Sequence, residues 1–343
     1  MRPSKNLLCV ALSVAFAATA KKITAAPGLF GVLDDAGASQ FASLVRESPD
    51  LLDLLVAGEI ATVFATSNGD NPSHPLKPRH SIIARERRET NTSSSKSVLY
   101  QAAFTQLEDM DSGSAKAKLK RKTANAIHAS GGLLPPSFVI ETAEHANLNG
   151  SGQNIVVQSW QPSSVSTSDD DYPPIIAQVY SGLGNTVNII HEDLEFARCN
   201  DTGRIYIADD YFTLPESLCS TSAKLKLTIF NSFVQCSGLS ETLNTRPSIT
   251  VFIPANMAYE NAGVGKPDHD DPKVVAEKVK ALVIPNFLGY TPNLADGQTL
   301  TSMNGTDVKI EINGEGTFVN GGMVIQRDII LENGVAHVIE EVC

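Results

Sequence analysis

Basic residues are scarce in this 343-residue chain: 27 Lys and Arg stand against 38 Asp and Glu, a net charge of −11. That balance excludes nucleic acid as a partner, because a phosphate backbone is held by concentrated Lys and Arg. It also disfavours attraction to an anionic membrane surface. Aromatic residues are only 6% of the chain, with Trp160 the single tryptophan. Signatures of catalysis are missing as well. No Gly-x-Ser-x-Gly elbow, phosphate loop or dinucleotide fingerprint occurs, and His191-Glu192-Asp193 lacks the second histidine of a zinc-protease helix. Beyond residue 20 no run approaches the ~20 apolar residues that a membrane-crossing helix needs. The C-terminus has no hydrophobic tail of the kind a glycolipid-anchor signal requires. The mature chain is therefore expected to carry no transmembrane segment.

What is present at the N-terminus fits a secretion signal. Arg2 and Lys5 give a positive start, Leu7 to Ala20 form a short apolar run, and Ala18-Thr19-Ala20 fits the small-residue cleavage pattern. Residues 1–20 are expected to be removed. Acceptor sequons at Asn91, Asn149, Asn200 and Asn304 agree with export, while Asn71-Pro72-Ser73 is ruled out by its proline. Cys9 falls in the signal, leaving Cys199, Cys219, Cys236 and Cys343 for an oxidising compartment. Two disulfides are expected, and the three pairings that four cysteines allow stay open.

The chain also repeats itself. Residues 51–68, LLDLLVAGEIATVFATSN, align without a gap on residues 239–256, LSETLNTRPSITVFIPAN, at an offset of 188. Leu51 and Leu55 match Leu239 and Leu243, Thr62-Val63-Phe64 matches Thr250-Val251-Phe252, and Asn68 matches Asn256. Each copy reads as an amphipathic helix giving way to a short β-branched strand. Asn68 and Asn256 then stand where a side chain can bond its own backbone and open a turn. A second pair follows, Gly203 to Asp210 against Gly334 to Glu341. The two boxes lie 141 residues apart in the first copy (Thr62 to Gly203) and 84 in the second (Thr250 to Gly334), so the first is 57 residues longer. The extra length is placed in an insert from His74 to Gly132, together with the polar run at 161–174. Two copies of one domain explain this better than one large fold.

In the second copy Val308, Ile310 and Ile312 alternate with Asp307, Lys309 and Glu311, the pattern of a strand with one wet face. Asn313-Gly314, Asn320-Gly321 and Asn333-Gly334 read as hairpin turns. Upstream, Val274, Val275, Val279 and Leu282 predict a helix over 271–282. Helices followed by an antiparallel meander give an α+β domain.

A helix, then TVFxPxN, then a meander ending in NGVxHVI and acids, resembles the fasciclin domain. The residues that carry the likeness are Thr250, Val251, Phe252, Pro254 and Asn256 in one box, and Asn333, Gly334, His337, Val338 and Ile339 in the other. The first copy resembles filamentous-fungal members, with SGLGNTVNIIHEDL at 181–194 ahead of TGRIYIADDYFTLP. The resemblance implies two tandem fasciclin-like domains, each an antiparallel β-wedge or meander flanked by helices, at 28–218 and 219–343. It also implies secreted or cell-surface placement and roles in adhesion and matrix contact. The sequence departs from the family in two places. Ala65-Thr66-Ser67 replaces the proline-containing step in the first box. The family's Tyr-His pair is absent, with Asn286-Phe287 and Gly289-Tyr290 near its expected position.

His337 is the residue that decides between an enzyme and a structural signature. Its counterpart in the first copy is Tyr206, and a catalytic group is not expected to give way to tyrosine while the surrounding pattern persists. Both are half-polar bodies that pack in a strand and offer a hydrogen bond, so His337 is read as structural. His269 among Asp268, Asp270 and Asp271 matches no calcium loop and reads as a solvated turn capping the next helix. Basic islands at 77–90 and 116–122 stand out in an acidic chain, either as exposed faces or as a patch for anionic wall polymers. Taken together, the residues predict a secreted glycoprotein working without cofactor or metal as a cell-adhesion or surface-interaction module. Its partner would be a cell-surface or matrix protein or a wall polysaccharide, with room for homotypic association. A carrier of a small apolar ligand and a wall-modifying hydrolase are the rival classes.

Overall fold

The computed structural model describes residues 28–68, 91–104, 137–148, 151–159, 177–198, 201–267 and 271–342. The signal, Asn149, Asn200, Cys199, Cys343, the basic islands and Asp268–Asp270 lie outside the described residues.

The first half opens with three helices, α1 (Leu29–Asp35), α2 (Ser39–Arg46) and α3 (Pro49–Val56), followed by β1 (Thr62–Thr66). In α2 Phe41, Ala42 and Val45 turn one apolar face inward. Pro49, with no backbone N–H to leave unpaired, stands at the start of α3. Helix α4 (Asn91–Tyr100) and strand β2 (Ala102–Ala103) come next. After them run β3 (Ser137–Leu148), β4 (Ser151–Ser159), β5 (Ala177–Tyr180), β6 (Thr186–Ala197) and β7 (Thr202–Ala208). The seven strands close into a barrel in sequence order, with β7 returning to pair with β1.

The second half repeats the plan. Helices α5 (Leu218–Lys224), α6 (Thr228–Cys236) and α7 (Ser240–Thr245) precede β8 (Ile249–Pro254). Then follow α8 (Asn256–Asn261), α9 (Pro272–Ala281), β9 (Val283–Ile284) and a 3-10 turn at Thr291–Asn293. The meander is β10 (Thr299–Thr301), β11 (Asp307–Asn313), β12 (Gly316–Val319), β13 (Gly322–Leu331) and β14 (Gly334–Ile339). Helix α9 sits where its pattern predicts it, with Asp271 capping by accepting from the Lys273 N–H at 2.9 Å. Strand β11 alternates exposed and buried along its whole length. The sheet order is β10-β11-β12-β13-β14-β8-β9. Its open edges lie close together, since the Met303 N–H donates to Val283 O at 2.8 Å.

Each half therefore joins helices to a sheet, an α+β arrangement, with one departure from the expected antiparallel sheet. Strands β1 and β7 pair in parallel, as do β8 and β14. The helices and the meander carry the chain around between the two boxes, and it returns alongside its start in the same direction. The insert is also redrawn. Ala103 pairs with Thr62 as Ile284 pairs with Thr250, so α4 and β2, inside the stretch read as insert, are the counterparts of α9 and β9. Those pairings lie 41 and 34 residues along, so only 7 of the 57 extra residues precede β2.

Two of the three expected Asn-Gly turns need correction. Asn313 pairs with Gly316, so the first turn is Gly314-Glu315 and Asn313 is still in the strand. Asn320-Gly321 turns with both φ values positive, 49° and 91°, as its sequence predicts. Asn333-Gly334 does not. Leu331 pairs with Gly334, so the turn is Glu332-Asn333 and Gly334 is already in the strand. Glycine is required there because a Cβ would run into Ile249 O of the neighbouring strand.

The core of each half has two layers. In the second, Phe230, Phe233, Val275 and Val279 from the helices pack on Val251, Ile253, Ala336 and Val338. The other face of the sheet buries Phe252, Ile310, Ile312, Val319 and Ile339. Because successive side chains point to opposite faces, one strand serves both layers.

Candidate functional site

The two signature boxes lie side by side. Thr250 pairs with Val335, Phe252 with His337, Ile253 with Val338 and Pro254 with Ile339. In the first half Thr62 pairs with Arg204 and Phe64 with Tyr206, the same register at the equivalent positions. The aromatic contact repeats too. The Phe64 and Tyr206 rings stack at 5.6 Å and 27°, and those of Phe252 and His337 at 5.7 Å and 29°.

His337 is 1% exposed and both ring nitrogens are engaged. Nε2 lies 2.8 Å from Gly289 O, to which it donates, and Nδ1 accepts from the Asp328 backbone N–H at 3.3 Å. The Asp328 carboxylate turns instead to the Thr291 N–H, at 2.7 Å. Burial lowers the His337 pKa below its ordinary value, with the Asp328 charge and the Gly289 bond opposing in part. The result is a neutral imidazole with no route to solvent and no nucleophile bonded to it. It can hold backbone in place. It has no free nitrogen with which to move a substrate proton.

Thr250 does similar work from the other box. Its hydroxyl donates to Phe287 O at 2.7 Å and accepts from the Gly289 N–H at 2.8 Å. Thr250, His337 and Asp328 between them fix the segment 287–291. Asp328 pays for its place with a left-handed backbone, φ 52°, and is 1% exposed. Nothing in the sequence pattern singled it out.

The signature asparagines serve the ends of the strands. Asn256 accepts from the Ile229 N–H at 3.1 Å and donates to Lys226 O at 2.9 Å. Asn68 accepts from the Gln40 N–H at 3.0 Å and donates to Ser39 Oγ at 2.9 Å. Neither opens a turn through its own backbone, as the local pattern predicts. Each ties its strand to the first turn of a helix some 27 or 28 residues earlier, because those N–H groups have no partner within the helix. Asn333 donates to Leu243 O at 2.8 Å and Arg246 O at 2.7 Å, closing off the C-terminal end of α7.

Other predicted positions fall elsewhere. Asn304 sits in the turn between β10 and β11, where its Oδ1 accepts from Thr306 Oγ1 at 2.7 Å and its Nδ2 reaches Glu277 O at 3.3 Å. Asn91 begins α4. Cys219 and Cys236 are half-buried and not bonded to each other. Among the described residues no three of His, Cys, Asp and Glu gather as a metal site, and no helix is long and apolar enough to cross a membrane.

The family model for the fasciclin domain matches residues 225–343. A fasciclin-like arabinogalactan protein of Phaeosphaeria nodorum is 29% identical over 163 residues, covering 47% of this chain and 50% of that protein. One from Arthroderma benhamiae is 22% identical over 305 residues, covering 89% of this chain and 63% of that protein. The chain thus spans about half the length of the first and under two thirds of the second. Among solved structures, a FAS1 domain pair from the insect cell adhesion molecule fasciclin I aligns over 90% of this chain and 97% of that one, at 15% identity and a TM-score of 0.36.

Proposed function

We propose, from the premise that this chain carries a fasciclin domain and resembles the fungal fasciclin-like proteins, that it is a secreted, glycosylated adhesion protein without enzymatic activity. Its two domains span residues 28–218 and 219–343, and both take the family's wedge form. Its partner is a component of the cell surface, the matrix or the wall. The observation that carries this reading is the duplicated signature box. Its one histidine is buried with both nitrogens committed, and tyrosine occupies the same stacked position in the first copy. What the sequence repeats is a buried parallel strand pair, and its histidine has no histidine counterpart in the first copy.

The test is binding of the purified mature protein to intact cells and to isolated wall polymers across a salt series. Saturable binding that persists at moderate salt is the expected result. Binding that vanishes with salt, or with deletion of the basic islands at 77–90 and 116–122, would make the protein an electrostatic tether. Absence of binding to every surface would overturn the adhesion reading.

A further inference from the structure

The two halves meet along a strip to which the second signature box contributes Val335 and which the rest of that box supports. Val156 of β4 is fully buried against Tyr290, Ile330 and Val335 of the second half. Polar groups close the rim. Arg327 donates to Gln158 Oε1 at 2.5 Å and to the Tyr180 hydroxyl at 2.8 Å. The Gln153 amide donates to Leu331 O at 3.1 Å, and the Asn154 amide to the Tyr290 hydroxyl at 3.3 Å. Backbone bridges join Gly182 to Ile330 and Glu216 to Leu331. Contacts between domains of one chain are ordinarily small and polar enough to permit relative motion. Here a dry centre is surrounded by satisfied polar groups, the anatomy of a lasting interface.

The strip is specific to the order of the domains. Ile330 lies opposite Val335 in the second half, whereas the equivalent pair in the first is Glu195 opposite Arg204, an ion pair at 3.1 Å. Strand β4 turns Asn154, Val156 and Gln158 outward to meet its neighbour. Its counterpart β11 turns out Asp307, Lys309 and Glu311, which are exposed. Each half thus bears one of the two complementary faces and carries charge where the other would be. Apolar docking of a further copy on those charged positions would bury charge without new partners of opposite sign.

Tyr290 connects this strip to the signature. It sits in the segment that His337 holds at Gly289 O, Thr250 at the Gly289 N–H and Asp328 at the Thr291 N–H. We infer that the second signature box is the mount for an interdomain clamp, and that the two domains consequently unfold as one cooperative body. The box positions 287–291, Tyr290 enters the strip, and Arg327 seals its edge. Any adhesive surface then lies on faces other than this strip.

Calorimetry and hydrogen exchange on the full chain test the inference. The wild type is expected to melt in a single transition whose calorimetric and van't Hoff enthalpies agree. Val156→Asp places a charge in the dry centre and is expected to split that transition in two. Arg327→Ala, a milder change at the half-buried rim, is expected to keep the fold while the Tyr290 and Thr291 amides exchange at least about tenfold faster. Two separate transitions in the wild type would overturn the inference. So would a single unshifted transition in Val156→Asp, or unchanged exchange at 290–291 in a folded Arg327→Ala. If Val156→Asp does not fold, the exchange result decides.

Discussion

His337 shows how one side chain can be indispensable without being catalytic. Its pKa in the folded protein lies below the ordinary 6.5 because burial penalises the charged ring. Between the lowered value and 6.5 the unfolded chain holds the proton more readily than the folded one. The stability this group contributes is thus fully present above pH 6.5 and is lost as pH falls through the window beneath it. Unfolding free energy should decline there by up to about 1.4 kcal/mol per pH unit. His337→Tyr, which copies the first domain, should flatten that decline, and urea titrations on either side of pH 6.5 measure it. His337→Ala is harsher, because Gly289 O and the Asp328 N–H both lose a buried partner. A loss of about 3 kcal/mol is expected, read from the urea midpoint. Gly334 is intolerant for a different reason. Gly334→Ala drives a methyl group into Ile249 O, so the two signature strands must part. Circular dichroism should report that the whole chain, both domains together, is unfolded at ambient temperature.

Among the elements, the parallel pair of signature strands is the unit that repeats, and the asparagines bind it to the helices. Asn256→Ala removes the partners of the Ile229 N–H and Lys226 O together and should cost about 2 kcal/mol in urea unfolding. Asn68→Ala, with the same pair of roles, should cost a similar amount. Much of this was legible in the chain itself. The gapless offset located both boxes, the alternation of Val308, Ile310 and Ile312 gave β11, and the Tyr206 for His337 exchange assigned the histidine a structural part. What was not legible depended on partners distant in sequence. Asn256 reads locally as a turn former, and only the fold brings it beneath a helix start. Gly334 reads as a turn glycine beside asparagine, yet the need for it comes from a carbonyl on another strand. Helix α4 lay hidden in a stretch taken for an insert, because its Ser-rich sequence lacks the apolar stripe of α9. Asp328, Tyr290 and Arg327 belong to no repeat, since the strip they serve exists once.

For the whole molecule, duplication and asymmetry divide the work. The duplicated boxes build two similar α+β units, and the unduplicated strip between them sets one against the other. A protein built this way presents surfaces at fixed spacing, which suits adhesion better than turnover of a substrate. The proposed glycosylation belongs to the same surface. Asn304 lies half-buried in the turn between β10 and β11, and treatment of the protein with an N-glycan-removing amidase should lower its mass. Asn304→Gln should abolish the share of that shift due to this site.

The central claim is that the signature histidine supports the fold while other surfaces do the binding. The most direct measurement compares binding isotherms of the wild type and His337→Tyr on intact cells, at a pH above 6.5, with both proteins verified as folded. The account predicts superimposable curves of the same affinity and capacity. A folded His337→Tyr protein that no longer binds would contradict it and return the buried histidine to the functional site.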